Sequence, residues 1–161
     1  MSARIGISGE RLTFPTYVDR VIIPTEQVKT LFSTPLVIVP GDPRWCPVIR
    51  YFSVRKAAGI AYTLNGNTTL TFQFKNPNTT TRTTGLNWVL TNWLDQATEQ
   101  FVLTRGYNGI GTGNYVGASN NIDSWGASII LALNTADMTV GDGALDVKVI
   151  WEGLPKQIPW F

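Results

Sequence analysis

The chain has 161 residues, of which 43% are hydrophobic and 15% are charged, and its formal net charge is +2. This length fits one domain, and the hydrophobic fraction suffices for a core, whereas the few charges leave most of the surface to Thr, Asn, Ser and Gln. The absence of histidine and the single cysteine, Cys46, exclude histidine triads, histidine or cysteine metal clusters and an intrachain disulfide.

Residues 1–20 form the first segment, and we predict that they are an extended arm. Two glycines and a proline interrupt the segment, and its apolar residues follow no clear period. The arm carries three spaced arginines that can pair with carboxylates on a neighbouring molecule: Arg4, Arg11 and Arg20. The first residues have the pattern of neither a signal peptide nor a membrane span, so we expect synthesis in a cytoplasm without export.

Short β-rich runs and two helical patterns follow in chain order. A helix of about two turns is predicted at 25–32 with Thr25 as its N-cap, and a second helix at 86–96, where apolar residues recur at helical spacing. Strands are predicted at 20–24, 34–43, 45–59, 60–74, 99–107, 123–134 and 144–151. In the fourth of these runs, Asn65-Gly66 predicts a hairpin turn.

The last predicted strand alternates strictly between apolar and polar residues. Its apolar positions are Leu145, Val147, Val149 and Trp151. Asp146 and Lys148 lie between them. This period of two is typical of a strand with one face against a core, so we predict that the apolar set is buried.

About eight strands, two short helices and no alternation of strands with helices predict an all-β protein. We interpret the chain as a single β-sandwich, with the jelly roll as one candidate topology. The sandwich domain is predicted to span 21–152, between the arm and an extended C-terminal tail at 153–161. The tail's two prolines disfavour a helix or a central strand.

The tail ends on large apolar side chains that another surface should cover. The residues predicted to bind a neighbouring copy or another protein are Ile158, Trp160 and Phe161. The alternative is that the tail folds back on its own domain.

Three patterns suggest chemistry, and each has a simpler structural interpretation. The glycine-rich run 109–114 lacks the lysine and the spacing of a phosphate-binding loop. Three aspartates near a turn lack EF-hand spacing for Ca²⁺, and ordinary turn roles are favoured: Asp137, Asp142 and Asp146. Asp95 and Glu99 have the spacing of an acid–base pair on a helix, but like charges at the end of an exposed helix are the commoner case.

No stretch combines a nucleophile with a base, a set of metal ligands or a cofactor-binding motif. We therefore predict no catalytic residue, no cofactor and no metal, and we do not expect an enzyme. No run of basic residues exceeds Arg55-Lys56, and no apolar run is long enough for a membrane, so neither nucleic acid nor membrane is an expected partner. Asn67 and Asn78 fit the N-glycosylation pattern, which carries no weight without export.

Two stretches resemble one class of viral structural protein. In 22–74, a polar helix leads into "L-x-x-T-P-L-x-I-V-P", a turn, a long apolar strand and a polar hairpin. In 120–154, an apolar strand with "L-x-x-N" is followed by a Gly-Asp-Gly turn and "L-x-V-x-V-x-W". This order resembles the small β-sandwich structural proteins of tailed bacteriophages, in particular capsid decoration (cement) proteins.

The resemblance implies a non-enzymatic virion subunit, made in the host cytoplasm and bound to the capsid exterior. Such proteins typically assemble as homotrimers and clamp neighbouring major capsid proteins after the shell has expanded. On this interpretation the arm and the tail contact those partners. The turn at 42–47 and the segment with Trp88 and Trp93 depart from the family pattern, which leaves the docking surface open.

Two other functions remain open. One is a receptor- or glycan-binding, tail-associated phage β-sandwich, in which the loop 108–121 and nearby Tyr107, Tyr115 and Trp125 stack on a sugar. The other is a polysaccharide hydrolase with a carboxylate pair. Glycan-array binding would favour the former, release of reducing sugar the latter, and binding to emptied, expanded capsids the decoration function.

Overall fold

The computed structural model describes residues 15–75, 82–105 and 126–155. The elements are β1 (Thr16–Ile23), α1 (Thr25–Lys29), β2 (Leu36–Val39), β3 (Trp45–Lys56), β4 (Thr69–Lys75), β5 (Arg82–Val89), β6 (Gln100–Arg105), β7 (Ser128–Leu133) and β8 (Leu145–Pro155). The fold is all-β, as predicted. The strands form two antiparallel four-stranded sheets: sheet A in the order β1-β8-β3-β6, and sheet B in the order β2-β7-β4-β5.

The strands pair in a nested order. The first strand pairs with the eighth, the second with the seventh, the third with the sixth and the fourth with the fifth. The pairings of β3 with β8 and of β4 with β7 join these four pairs into the two sheets. Each sheet therefore combines strands from both halves of the chain, and only the connection from β4 to β5 stays within one sheet.

The core lies between the two sheets and is built by the alternation of side chains along each strand. Phe52 of sheet A and Phe72 of sheet B meet edge to face, with ring centroids 4.9 Å apart. The predicted burial of Leu145, Val147, Val149 and Trp151 is confirmed: the first three are 0% exposed and Trp151 is 9% exposed. The alternation along β8 thus sets which face of sheet A is buried.

Both predicted domain boundaries need correction. Residues 16–20, predicted to belong to the arm, are part of β1, because this stretch pairs with β8 from Thr16 onwards. Residues 153–155, predicted to begin the tail, continue β8, and Pro155 pairs with Trp45. A proline is tolerated there because the pairing of β1 with β8 reaches only Glu152, so this end of β8 has a described neighbouring strand on one side alone.

The predicted helix at 86–96 is wrong. Residues 86–89 belong to β5, which pairs with β4 at every position except Gly85. The ladder to β4 supplies backbone partners on one side of this segment, so the sheet overrides a helical pattern that is too short to decide by itself. Residues 91–95 form a turn rather than a helix: the Leu94 amide donates to the Leu90 carbonyl at 3.0 Å, and Asn92 has a φ of 63°.

The helix predicted at 25–32 exists but is shorter. It covers Thr25–Lys29, and its N-cap is Pro24, which makes no side-chain cap hydrogen bond. The predicted cap, Thr25, instead accepts a hydrogen bond from the Gly143 amide at 3.3 Å.

The predicted hairpin at 60–74 is right in its turn and wrong in its first strand. Asn65 and Gly66 both have positive φ, 49° and 80°, as a tight turn requires. Residues 60–64 nevertheless form no strand. Their backbone bonds to other connections, including Tyr62 N to Leu94 O at 3.2 Å and Thr63 N to Val140 O at 3.2 Å.

A buried asparagine holds together the connections at this end of the sandwich. Asn67 is 3% exposed, and its Nδ2 donates to the carbonyls of Leu64 (2.6 Å) and Ala136 (2.7 Å). Its Oδ1 accepts from the amides of Thr135 (2.9 Å) and Ala136 (3.2 Å). All the hydrogen-bonding capacity of this side chain is thus used inside the protein, and the residue is not available as a surface acceptor for a glycan.

Candidate interaction surface

The outer face of sheet A carries a row of apolar side chains that crosses three strands. Val18 of β1 pairs with Ile150 of β8, which pairs with Tyr51 of β3. Val18 is 57% exposed, Tyr51 is 42% exposed and Ile150 is half-buried. We call these three residues the apolar row. Cross-strand neighbours form a continuous patch, and exposed apolar patches of this kind mark binding surfaces.

Ion pairs border the apolar row on both sides. On one side, Arg20 Nε donates to Asp146 Oδ1 at 2.9 Å and Arg20 Nη2 to Asp146 Oδ2 at 2.7 Å. On the other side, Arg50 Nη2 donates to Glu152 Oε2 at 2.5 Å. The surface therefore combines an apolar centre with charges of both signs, as protein-binding surfaces do.

Arg20 is one of the residues predicted to bind a neighbour, and the structure gives it an intrachain partner. The two-pronged bond to Asp146 lowers the pKa of that carboxyl, and the pair connects neighbouring strands of sheet A. A carboxylate on another molecule would have to compete with Asp146. The other predicted contact residues lie outside the described residues: Arg4, Arg11, Ile158, Trp160 and Phe161.

A second exposed apolar group lies on β6, at one edge of sheet A. Phe101 is 61% exposed and Leu103 is 66% exposed. Directly before them, Glu99 accepts from Arg55 Nη2 at 2.6 Å, and this hydrogen bond lowers the pKa of the Glu99 carboxyl. The sequence predicts a strand here, but three consecutive apolar residues, Phe101, Val102 and Leu103, give no indication of which face is buried.

An aromatic cluster closes the end of sheet A at which β3 begins. Tyr17 stacks on Trp151 with ring centroids 4.5 Å apart, and Trp151 Nε1 donates to Asp19 Oδ2 at 2.6 Å. Trp45 lies against Gly153, where a Cβ would come within 3.1 Å of the indole. The glycine therefore permits the close approach of the Trp45 ring to β8.

Several chain segments connect at this end. The Gly153 amide donates to the Pro15 carbonyl at 3.2 Å, the Gly126 amide donates to the Trp45 carbonyl at 3.0 Å, and Pro155 pairs with Trp45. Pro15 and Trp45 thus lie on opposite sides of β8 at the same end of sheet A, where the strand reaches Pro155. The aromatic residues of the predicted glycan loop lie outside the described residues: Tyr107, Tyr115 and Trp125.

The carboxylates considered for metal binding each have a different partner. Asp137 accepts from the Ser33 amide at 2.9 Å, Asp142 accepts from the Ile60 amide, and Asp146 pairs with Arg20. Within the three described ranges, no three His, Cys, Asp or Glu side chains are grouped as a metal site would require. No helix among the described residues is both long and apolar enough to cross a membrane.

The residues considered as an acid–base pair are also engaged separately. Asp95 Oδ1 accepts from Gln96 Nε2 at 3.1 Å, whereas Glu99 pairs with Arg55. No helix brings Asp95 and Glu99 to one face, because 91–95 form a turn and the chain then leads into β6 at Gln100.

A buried lysine is the polar feature that the sequence analysis missed. Lys56 is 0% exposed, its Nζ donates to the Ala57 carbonyl at 3.1 Å, and it lies 6.0 Å from the centroid of the Tyr62 ring. Burial lowers the pKa of Lys56, although the nearby Asp142 opposes the shift. The signal was present in the sequence, because Lys56 follows Phe52 and Val54 at a spacing of two.

Tyr62 beside this lysine makes stability depend on alkaline pH. Burial raises the pKa of Tyr62 to about 12, and its hydroxyl donates to the Gly143 carbonyl at 3.0 Å. The folded state keeps this proton between pH 10 and 12, where the unfolded state loses it, so about 2–3 kcal/mol of stability is lost as pH rises through that range. The lowered pKa of Lys56 acts in the opposite sense and raises stability as pH approaches 10.5.

We expect Tyr62→Phe to remove the alkaline loss. At pH 9 the variant should be about 1 kcal/mol less stable than the parent, because one hydrogen bond is missing. Near pH 11.5 the difference should vanish or reverse, as measured by urea denaturation across this range. Tyr51→Phe on the exposed apolar row is the control for loss of a tyrosine hydroxyl, and it should change the free energy of unfolding at pH 9 by less than about 0.5 kcal/mol. If Tyr62→Phe retains the parent's alkaline slope, another group causes it.

The sequence matches no protein-family model, and comparisons with curated proteins and with solved structures found no similar chain. Assignment of function therefore rests on the fold, on the surfaces described above and on the resemblance in sequence pattern.

Proposed function

We propose that this protein is a capsid decoration protein of a tailed bacteriophage, which binds the outside of the shell and stabilises contacts between major capsid proteins. The nested strand pairing carries the proposal. Eight strands in two sheets, paired first with last and inwards to fourth with fifth, are the arrangement expected of a jelly roll. Jelly rolls occur in viral capsid and lectin domains.

The outer face of sheet A supports the proposal by offering a surface suited to another protein. The apolar row supplies uncharged contact area. In each of the two flanking ion pairs, the two charges already compensate each other. A partner can therefore cover the apolar row without separating these ion pairs, and Lys148, exposed on the same face beside Ile150, calls for a polar or acidic group on that partner. A decoration protein needs contact area of this kind rather than reactive groups.

The position of the two ends of the described chain also supports this role. Pro15 and Pro155 both lie at the end of sheet A at which β3 begins, so the residues that precede Pro15 and follow Pro155 connect to the sandwich at that end. A segment of six residues can reach roughly 20 Å when extended. Contacts from such segments would add to those of sheet A, and several weak contacts to neighbouring capsid proteins reinforce one another.

Substitution in the apolar row tests this function. We expect Val18→Glu to weaken binding to emptied, expanded capsids about tenfold, because a carboxylate would be buried in the contact without a partner. Val37→Glu is the matched control, since Val37 is 47% exposed on the other sheet. It should change binding less than about twofold. Co-sedimentation with capsids at a series of protein concentrations measures both.

If the two variants bound capsids equally well, the outer face of sheet A would not be the surface that contacts the capsid. Failure of the unaltered protein to bind either expanded or unexpanded capsids would contradict the decoration function itself.

Binding to a host glycan is the second candidate function, and the aromatic cluster favours it. Tyr17 is 36% exposed while stacked on Trp151, and the Asp42–Arg44 ion pair (2.6 Å) lies in the turn that leads into β3. An exposed aromatic ring beside charged side chains is suited to stacking on a sugar. If the protein binds a sugar on a glycan array and Tyr17→Ala abolishes that binding, glycan recognition is supported. A capsid decoration function does not require any binding on the array.

A further inference from the structure

We propose that β6 is a self-association strand: two copies of this chain pair their β6 strands antiparallel about a two-fold axis, so that two copies of sheet A form one eight-stranded sheet. This proposal goes beyond capsid binding and does not depend on it. Three features of β6 support it: the strand lies at an open edge of sheet A, it lacks the residues that discourage edge pairing, and its sequence is complementary to itself in an antiparallel pair.

The outer edge of β6 is open among the residues that the structure describes. The strand pairs with β3 over six consecutive positions without a register shift, and sheet A ends there. Its sequence, Gln-Phe-Val-Leu-Thr-Arg, contains no proline, glycine or lysine. A regular, apolar edge without such residues is a template for another strand.

The other sheet edges have features that discourage pairing. β2 has only four residues and a register shift between Val37 and Val39. β5 shifts register against β4 between Phe72 and Gln73, which leaves Gly85 without an opposite residue. β1 lies between two prolines and bears the charges of Asp19 and Arg20. Short strands, bulges, prolines and charges all oppose edge-to-edge association, so β6 is the exception.

The residues of β6 are complementary to themselves in an antiparallel pair. With Val102 opposite Val102 of the second copy, Phe101 lies opposite Leu103, and Glu99 lies opposite Arg105. Because the relation is two-fold, each of these pairs occurs twice. Aromatic–aliphatic and opposite-charge cross-strand pairs each stabilise a sheet, and this register brings residues of both kinds opposite one another.

The present neighbours of these residues are compatible with this pairing. The side chains of Phe101 and Leu103 on β6 are already exposed, so they can contact a second copy without rearrangement. Glu99 already accepts from Arg55, with half of each side chain exposed. A carboxylate has two oxygens and can accept from a second guanidinium, so the intrachain pair can remain.

A pair formed by six-residue edges is small compared with a stable interface, so association should depend on concentration. We expect the weight-average mass in analytical ultracentrifugation to rise toward that of two chains. The family resemblance implies a homotrimer, so the same measurement of mass distinguishes a dimer from a trimer.

Charge reversal at the ends of β6 tests the register. Glu99→Arg and Arg105→Glu should each weaken self-association at least about tenfold, because each places like charges opposite one another. The double variant should recover association to within about threefold of the parent. Arg55→Gln is the control: it breaks the same intrachain ion pair but should leave the association unchanged. Circular dichroism checks that every variant is folded.

A cross-link provides a second readout of the axis. In a Cys46→Ser background, Val102→Cys should form an interchain disulfide under mild oxidation, because residue 102 faces itself across a strand pair. Leu103→Cys is more exposed but faces residue 101, and it should cross-link at least about fivefold more slowly. A constant monomer mass at all concentrations would overturn the proposal. So would a three-chain mass that the charge reversals do not change, or faster cross-linking at 103 than at 102.

Discussion

Val147→Asp is expected to abolish folding. Val147 is 0% exposed and lies within β8, where it pairs with Val21 on one side and with Val54 on the other. A carboxylate there would lose its hydration without gaining a partner, at a cost of about 5 kcal/mol or more. That cost is comparable with the entire stability of a small domain. We expect no cooperative thermal transition and no near-ultraviolet circular dichroism from the tryptophans.

The neighbouring residue provides the control for this prediction. Lys148 lies on the opposite, exposed face of β8, so Lys148→Ala should change the free energy of unfolding by less than about 0.5 kcal/mol. If Val147→Asp were soluble and unfolded cooperatively, the assignment of the buried face of β8 would be wrong.

Asn67→Ala is expected to destabilise the protein by about 3 kcal/mol. The substitution removes four hydrogen bonds and leaves the Thr135 amide and the amide and carbonyl of Ala136 without their Asn67 partners, whereas the Leu64 carbonyl keeps its bond from the backbone amide of residue 67. Each unsatisfied buried group costs about 1–3 kcal/mol, partly recovered by local relaxation. The free energy of unfolding from urea denaturation at pH 7 measures the loss.

Asn65→Gly is the matched control in the same connection. Asn65 has a φ of 49°, which glycine adopts readily, and its exposed side chain makes one hydrogen bond, to the Asp137 carbonyl at 2.9 Å. We expect a loss below about 1 kcal/mol. Equal losses in the two variants would mean that Asn67 does not hold this end of the sandwich together.

The sequence predicts the fold class and the central strands well because period-two alternation reports a half-buried strand directly. β8 shows this most clearly, since every second residue from Leu145 to Trp151 is apolar and buried. β3 follows the rule on each side of the register shift between Ile49 and Tyr51, and at Lys56 a charged residue continues the buried face. The period of two predicts that the Lys56 side chain is buried, whereas a charged side chain by itself predicts an exposed position.

The remaining differences arise where pairing between distant segments decides the structure. Residues 16–20 are mostly exposed on an edge strand, so they lack the apolar alternation that would identify a strand. Residues 86–89 carry apolar side chains at helical spacing, but their pairing with β4 provides backbone partners for the whole segment. Local patterns do not contain this information.

The candidate surfaces depend even more on such pairing. The apolar row brings together Val18, Tyr51 and Ile150, and the ion pair beside it joins Arg20 to Asp146 across 126 positions of sequence. No spacing rule connects residues so far apart. The β6 pattern is different, because its self-complementarity is visible in the sequence once the strand is known to be an open edge.

A cryo-EM map of the virion tests the proposed function most directly. We predict density outside the shell, at contacts between major capsid proteins, that fits two four-stranded sheets in the order observed here, with the apolar row of sheet A turned toward the shell. A capsid surface without such density, with the same fold found instead at the tail or missing from the particle, would contradict the assignment as a decoration protein.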